Sequence, residues 1–450
     1  MPALDDGERA IAFDRLVGRT WVEAAPGGLQ DKSLLLLTRR PLNAALALCA
    51  LDGAARRLVI CPPDLALDQL PYVLADAEIE AVVHDLDEDR EGLIALPDGL
   101  PAFPIRQTED GYDRPVLAAG RTTEWALFTS GTTGPPKMVV HTLAGLTGAI
   151  ASAPEREGAR FVWATFYDIR RYGGLQMLLR ALTGGHAMQL TGPDEPMAAF
   201  LPRLATAGVT HLAGTPSHWR GALMHTGLER LSPSYVRLSG EIADQPLLDR
   251  LAARFPGAVV SHAYASTEAG VGFEVNDGME GFPAAYLDRT GPVEMRVEAG
   301  TLRLRSSRTA RAYLGLKPPV LADASGFVDT GDLVEQRGER FYFMGRASGV
   351  INVGGLKVHP AEVEAVLNRC EGVRMALVKS RRNPIVGAIV AAEVVLADPA
   401  QGLGEAGRET RARILDHCRA HLAAHKVPAS IVFKDELPIS PGGKVERRDA

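Results

Sequence analysis

Short apolar runs alternate with helix-like segments along the first part of this 450-residue chain. Leu34 to Leu37 and Leu58 to Cys61 have the length and composition of buried strands, and the Ala/Leu-rich stretch Asn43 to Leu51 between them is typical of a helix. The alternation resumes later, with a helix predicted over Gln245 to Phe255 and a strand over Val259 to His262. Because strand, helix and strand in succession form a parallel unit, the pattern predicts an α/β fold built on parallel sheets.

The pattern changes from about Gly291 onward. Residues 293–306 alternate apolar and polar side chains around an Ala-Gly pair, which is typical of a hairpin. Shorter segments follow, with Asp398 to Thr410 predicted to be a mobile loop because Gly, Ala and polar residues dominate it. We predict a large layered N-terminal α/β domain over residues 1–345 and a small mobile α+β domain over residues 346–450.

Composition excludes several classes of protein. The hydrophobic fraction of 46% is that of a globular chain, and the net charge of −6 gives no broad basic surface, so no nucleic-acid partner is expected. No uninterrupted apolar run approaches the roughly 18 residues of a membrane span, and the first 30 residues lack the apolar core of a signal peptide. A cytoplasmic enzyme is the expected class.

The densest motif is TSGTTGPPK, from Thr129 to Lys137. Glycines bring backbone N–H groups close to an anion, hydroxyls add donors and lysine adds a positive charge, so the run predicts a polyphosphate-binding loop. It differs from a Walker loop because Pro136 and Met138 flank the lysine. The residues expected to bind phosphate are Thr129, Ser130, Gly131, Thr132, Thr133, Gly134 and Lys137.

This loop resembles the phosphate loop of the AMP-forming adenylating superfamily, which includes acyl-CoA synthetases, adenylation domains and luciferases. Four further motifs match in the family's order. They are YASTE at Tyr264 to Glu268, DTGDL at Asp329 to Leu333, GRASGVINVGGLKVHPAEVE at Gly345 to Glu364, and SPGGKVERR at Ser440 to Arg448. The resemblance covers most of the chain and is weakest over its first 120 or so residues.

The resemblance implies a two-step reaction that uses ATP and Mg²⁺. A carboxylic acid attacks the α-phosphate to give an acyl-adenylate and pyrophosphate, and a thiol then takes the acyl group. Catalytic roles fall on Lys444, which would bridge the two anions, on Thr267 at the α-phosphate, and on Glu268 as the Mg²⁺ ligand. An alternative for the Thr267-Glu268 pair is the N-terminus of a helix, with threonine as its cap.

By the same resemblance, five residues surround the nucleoside. Asp332 would accept hydrogen bonds from the ribose hydroxyls, and Arg346 would lie near the ribose. Gly240 and Glu241 would border the adenine, with Tyr264 against its face. The alternative for Tyr264 is an aromatic residue of the core.

The thiol would pass Gly354 and Gly355, which leave room for a pantetheine arm; their alternative is a turn between two strands. The family resemblance places this segment at the site only after the small domain rotates. Many members carry aspartate at the hinge, where this chain has Ser348.

The acid is expected to lie near Arg171, Tyr172, Thr215 and Gly240. Arg171 stands where many acyl-CoA synthetases have histidine. A buried guanidinium needs a partner, so either it pairs with Asp168 or it binds a polar substrate, such as an acid with a second carboxylate or a hydroxyl group.

The sequence is compatible with three functions. The chain is closest to acyl- or aryl-CoA ligases, with CoA as the acceptor. A stand-alone enzyme that loads the phosphopantetheine of an acyl carrier protein would need the same glycine pair. A noncatalytic nucleotide-binding protein is the alternative of another class, and the presence of Lys137, Glu268, Asp332 and Lys444 together argues against it.

Overall fold

The computed structural model of the chain describes residues 2–25, 27–86, 97, 99–108, 110–113, 121–129, 136–151, 160–353, 356–383, 387–440 and 443–445. Two large, mostly parallel sheets and one antiparallel sheet form the N-terminal part, and a smaller sheet with two helices forms the C-terminal part. The prediction of an α/β fold with parallel sheets is confirmed.

The first sheet has eight strands. Its inner six run parallel, and one antiparallel strand closes each edge. In spatial order the strands are Gly270–Val275, Val259–Ser266, Tyr235–Ser239, His211–Gly214, Val162–Thr165, Ala187–Gln189, Ala3–Asp5 and Ala10–Ala12. Parallel strands end on one edge together, so the loops that follow them lie near one another.

The second sheet has seven strands, of which five neighbouring strands pair in parallel and the two at one edge are joined by antiparallel pairing. In order they are Ala312–Tyr313, Met138–Thr142, Glu124–Phe128, Arg57–Ile60, Ser33–Leu37, Ala81–His84 and Ala102–Pro104.

The third sheet is antiparallel and contains the predicted hairpin. Its strands are Phe282–Pro283, Arg340–Arg346, Val328–Arg337, Thr301–Ser306 and Val293–Glu298.

The main core lies between the first two sheets. Helix Pro41–Leu51 is buried at ten positions, because its Leu and Ala side chains contact both layers. Leu4 and Met188 of the first sheet share this apolar cluster with Leu34 and Leu58 of the second. The described helices are Phe13–Leu16, Pro41–Leu51, Leu70–Asp76, Leu143–Ala151, Tyr172–Gly184, Met197–Thr206, Pro216–Ala222, Gln245–Arg254, Pro360–Arg369 and Gly404–His421.

The C-terminal part has its own core. Helices Pro360–Arg369 and Gly404–His421 cover a sheet whose strands are Val373–Asn383, Gly387–Leu396 and Ser430–Phe433. The short strands Ile351–Val353 and Leu356–Val358 pair beside it. Two small strands of the N-terminal part, Arg19–Thr20 and Tyr112–Asp113, also pair.

The predicted mobile loop over Asp398 to Thr410 is wrong. A short 3-10 turn, Pro399–Gly402, leads into a helix that already begins at Gly404. The sequence of this helix is rich in Glu, Ala and Arg, which favour helix formation. Gly407 contacts the Gly402 carbonyl so closely that a Cβ there would lie 2.3 Å from the oxygen. Here a glycine permits tight packing and does not mark a loop.

Candidate active site

A cavity of about 900 Å³ opens between the first sheet, the third sheet and helix Pro360–Arg369. Strands Tyr235–Ser239 and Val259–Ser266 end at its rim, as expected for a site at the carboxyl edge of a parallel sheet. All eight residues predicted for catalysis and nucleoside binding line it. They are Lys444, Thr267, Glu268, Gly240, Glu241, Tyr264, Asp332 and Arg346, joined by Arg171 and Tyr172.

Lys444 enters the cavity on a tight turn. The Ser440 N–H donates to the Lys444 carbonyl at 2.7 Å, and the Lys444 N–H contacts the Ser440 hydroxyl at 3.2 Å. Burial lowers the pKa of the ammonium, and Glu241 opposes this shift by favouring the charged form. The turn therefore presents one cation at a site where anions would meet.

Asp332 and Tyr264 form the nucleoside side of the cavity. The Tyr264 hydroxyl donates to Asp332 Oδ2 at 2.5 Å, and Arg346 Nε donates to Oδ1 at 3.2 Å. The Tyr264 ring stacks on Phe343, with centroids 5.2 Å apart and an interplanar angle of 7°. Burial and the adjacent Asp332 carboxylate raise the pKa of the phenol well above its usual range. Tyr264 thus has both a packed face and a site-facing hydroxyl.

Thr267 and Glu268 lie in the turn between strands Val259–Ser266 and Gly270–Val275. The alternative of a helix N-terminus is wrong, because the chain reverses into an antiparallel strand at this point. Gly270 fixes the reversal with a φ of +77°, and a Cβ there would lie 2.5 Å from the Arg308 carbonyl. The turn aims both residues at the cavity.

Glu268 is the residue predicted to bind a metal ion, and it lines the cavity. One of its oxygens, Oε1, accepts a weak contact of 3.5 Å from the Tyr313 hydroxyl. No group of three or more His, Cys, Asp and Glu side chains is arranged to hold a metal within the described ranges. A hard cation that also binds phosphate oxygens needs few protein ligands, so one cavity-facing carboxylate fits Mg²⁺.

The described ends of the phosphate loop are close together. Strands Glu124–Phe128 and Met138–Thr142 pair antiparallel, and the Thr129 N–H donates to the Lys137 carbonyl at 2.9 Å. The Lys137 side chain is exposed. The other predicted phosphate ligands, Ser130 to Gly134, fall outside the described residues, as do Gly354 and Gly355.

Arg171 has a protein partner that the sequence did not indicate. Its guanidinium pairs with Asp64, in the loop after strand Arg57–Ile60 of the second sheet. Asp168, the predicted partner, instead binds Arg170, whose Nη2 lies 2.6 Å from Oδ2. The two arginines point to different partners, because the Arg170 guanidinium also donates to the backbone carbonyls of Thr38 and Arg39. These residues follow strand Ser33–Leu37 of the second sheet. The pairing of Arg171 with Asp168 is wrong.

Tyr172 begins helix Tyr172–Gly184, and its buried ring contacts His141 with centroids 5.6 Å apart. Thr215 differs from the other residues predicted to lie near the acid, because it is fully buried and does not line the cavity. Its hydroxyl donates to the Gly443 carbonyl at 2.5 Å. Glu241 accepts hydrogen bonds from Ser217 and from the backbone of Val445. Thr215 and Glu241 thus both contact the turn that carries Lys444, which we call the lysine turn.

Three residues near the site were missed from the sequence. They are His141, which binds the Thr267 carbonyl, Tyr313, which contacts Glu268, and Asp64. The position of His141 in the strand that follows the phosphate loop, Met138–Thr142, was the one available signal. No motif spacing marks Tyr313 or Asp64, since both approach the site only through the folding of separate strands.

Comparison with known proteins identifies the family. Residues 27–302 match the family model of AMP-binding enzymes, and residues 362–444 match that of the AMP-binding enzyme C-terminal domain. The first match covers more than half of the chain, so the chain belongs to the AMP-binding enzyme family. The predictions of the adenylating superfamily and of an AMP-forming acid–thiol ligase are confirmed.

Two relatives of similar identity differ in how much of their own length this chain covers. The chain is 25% identical to 2-succinylbenzoate–CoA ligase of Bacillus cytotoxicus over 450 residues, which cover 93% of this chain and 88% of the ligase. It is 26% identical to CymA, a probable nonribosomal peptide synthetase of Salinispora arenicola, over 99% of this chain. The chain spans 6% of that synthetase's length.

The fold agrees with that of solved structures. ATP-bound MatB from Rhodopseudomonas palustris superposes with a TM-score of 0.78 at 21% identity, covering 98% of this chain and 93% of that one. The predicted arrangement of a large N-terminal and a smaller C-terminal domain is confirmed. In the part of the chain that the structure describes, no helix combines the length and apolar character needed to cross a membrane.

Proposed function

We propose that this chain couples an acyl or aryl carboxylic acid to the thiol of CoA through an acyl-adenylate. The single observation that supports this best is the convergence of Lys444, Asp332 and the Thr267-Glu268 turn on one cavity from three separate elements. Bringing anions together requires positive charge and fixed positions, and this arrangement supplies both.

In the proposed first step, a carboxylate oxygen of the acid bonds to the α-phosphorus of ATP while the bond to the bridging β-phosphate oxygen breaks. Lys444 is proposed to reduce the repulsion between the carboxylate and the phosphate, and the Thr267 hydroxyl to donate to a phosphate oxygen. Mg²⁺ held by Glu268 would neutralise phosphate charge. Residues 130–134, Thr129 and Lys137 are proposed to bind the β- and γ-phosphates.

In the proposed second step, the thiol sulfur bonds to the acyl carbon and AMP leaves, while the thiol proton passes to solvent. Gly354 and Gly355 are proposed to admit the pantetheine arm after the C-terminal domain rotates. We propose residues 1–345 and 346–450 as the two domains, with Ser348 as the hinge. The cytoplasmic location expected from composition also stays a prediction.

The nucleoside is proposed to bind along Gly240, Glu241 and Tyr264, with its ribose on Asp332 and near Arg346. Both Asp332 oxygens have a protein donor, and each keeps a second lone pair for a ribose hydroxyl. The acid would lie at the end of the cavity lined by Arg171 and Tyr172, with Gly240 beside its carboxylate. The name of the Bacillus cytotoxicus relative supports an aromatic acid as a first substrate to test.

A second candidate is the loading of an acyl carrier protein. The match to CymA, a nonribosomal peptide synthetase, favours it. Both acceptors end in the same pantetheine thiol, so the proposed thiol site would serve either.

The deciding experiment is ATP-dependent pyrophosphate release with a panel of acids, with and without Mg²⁺. The purified chain should release pyrophosphate with at least one acid, and only when Mg²⁺ is present. CoA and a phosphopantetheinylated carrier protein are then compared at equal concentration. A strong preference for the carrier would reject the CoA assignment, and no release with any acid would support the noncatalytic alternative.

A further inference from the structure

The turn that carries Lys444 is held on both sides by residues of the large domain. On the N-terminal side, the Gly443 carbonyl accepts a hydrogen bond from the Thr215 hydroxyl. The same hydroxyl accepts from the His218 N–H at 3.0 Å, so its proton is directed at Gly443. Thr215 is completely buried, which shields this contact from competing water.

Gly443 also fits against the imidazole of His218. Its φ is +72°, and a Cβ there would lie 1.7 Å from Cε1 of the ring. The ring is fixed because Nδ1 accepts from the Thr215 N–H at 3.1 Å. Burial lowers the pKa of His218 to about 4, so the ring is neutral at physiological pH and does not repel the lysine. Only glycine can occupy position 443 in this arrangement.

On the C-terminal side, the Val445 N–H donates to Glu241 Oε1 at 3.1 Å. The carboxylate is itself held by Ser217, whose N–H donates to Oε2 at 2.9 Å and whose hydroxyl donates to Oε1 at 3.0 Å. The residues directly before and after Lys444 are therefore both bound to the large domain.

Gly240 completes the arrangement by leaving room for the lysine stem. A Cβ at Gly240 would lie 3.2 Å from Lys444 Cε, which is tighter than an ordinary contact. Because the turn is closed internally by the Ser440–Lys444 hydrogen bond, fixing its two flanks also fixes the direction of the side chain.

We propose that Thr215 and Glu241 are positioning residues that dock the lysine turn for the adenylation step alone. This reassigns Thr215 from the acid pocket and gives Glu241, at the adenine border, a second role. The proposal rests on the two-step function proposed above. The Thr215–Gly443 and Glu241–Val445 hydrogen bonds both join the large domain to the C-terminal domain, so a rotation that presents the thiol site must break both.

The test uses three threonine variants. Thr215→Val removes the hydroxyl, Thr215→Ser keeps it, and Thr210→Val is the matched control. The Thr210 hydroxyl also accepts a hydrogen bond from a backbone N–H, that of Val162, at 3.0 Å. Thr210 precedes strand His211–Gly214 and Thr215 follows it, so the two threonines lie at opposite ends of this strand. Thr215→Val should lower kcat for pyrophosphate release roughly tenfold, with Thr215→Ser and Thr210→Val near wild type.

Thioester formation from a synthetic acyl-adenylate should stay within about twofold of wild type in all three variants. Glu241→Ala should show the same division, whereas a general structural defect would lower both half-reactions together. Equal losses in the two half-reactions of Thr215→Val would overturn the proposal.

A second readout needs no substrate. The rate at which an amine-acylating reagent modifies Lys444 is followed by mass spectrometry of the C-terminal peptide. Thr215→Val should increase this rate several-fold, while Thr215→Ser and Thr210→Val leave it unchanged. An unchanged rate in Thr215→Val would reject the docking proposal even if the catalytic function stands. A faster rate in a chain that releases no pyrophosphate would retain the docking and reject the function.

Discussion

His141 and Thr267 are joined by a hydrogen bond of 2.7 Å between the imidazole Nε2 and the backbone carbonyl. A carbonyl only accepts, so Nε2 carries the proton. The bond ties the strand that follows the phosphate loop, Met138–Thr142, to the turn of Thr267 and Glu268. The two segments expected to hold phosphate and metal are thus fixed to each other through a residue that itself belongs to neither.

This histidine should make the protein less stable in acid. Burial lowers the pKa of His141 to about 4, below the usual value of about 6.5, so the unfolded chain binds the proton more tightly. Its stabilising contribution is complete above pH 6.5 and is lost as the pH falls toward 4, by about 2 kcal/mol at pH 5.

The measurement is the free energy of unfolding in urea at pH 7 and pH 5. His141→Gln should lose less stability between these values than wild type, while His425→Gln, in the C-terminal domain and away from the cavity, should follow the wild-type curve. Parallel curves for wild type and His141→Gln would contradict the prediction.

Lys444→Ala should separate the two half-reactions. Loss of a charge that acts in the first transition state is expected to lower acyl-adenylate formation by several orders of magnitude. Thioester formation from a synthetic acyl-adenylate should persist. Lys434→Ala, which removes an exposed lysine of the same domain, provides the control. Comparable losses in both assays would count against domain rotation.

Arg171 should contribute less to substrate selectivity than an unpaired guanidinium would. An unpaired cation that binds a second substrate carboxylate would account for about 2–5 kcal/mol in kcat/KM. Because Asp64 already neutralises Arg171 at a partly exposed site, Arg171→Leu should cost a polar acid about 1 kcal/mol or less.

The companion variant for this pair is Asp64→Asn, which frees the guanidinium. It should shift preference toward an acid with a second carboxylate, measured as the kcat/KM ratio for two acids that differ only in that group. A large selective loss in Arg171→Leu, with no shift in Asp64→Asn, would show that Arg171 binds substrate despite its partner.

The adjacent glycines 173 and 174 should respond differently to alanine. A Cβ at Gly174 would lie 2.2 Å from the Asp168 carbonyl oxygen, whereas one at Gly173 would make ordinary contact, 3.4 Å from the Tyr167 ring. Gly174→Ala should destabilise the fold by about 1–3 kcal/mol, and Gly173→Ala should be neutral or slightly stabilising because alanine favours the helix. Thermal or urea unfolding of the two variants decides this, and equal stability would contradict it.

The sequence by itself determined the parallel α/β core, the hairpin of residues 293–306 and the order of the family motifs. These follow from local patterns, since a buried strand such as Leu34 to Leu37 must be apolar wherever it lies. The motif order also indicated Lys444, Asp332 and Glu268, because charge and spacing are written in the chain. Local composition misled at Asp398 to Thr410, where a close contact between Gly402 and Gly407 allows a helix.

Only the tertiary structure decided which side chains meet. Thr215 and Gly443 are 228 positions apart, and Arg171 and Asp64 are 107 apart. A hydrogen bond or ion pair depends on the final positions of two atoms to within a fraction of an ångström. Those positions are set by how sheets, helices and domains pack together, so no pattern near Thr215 or Arg171 could specify its partner.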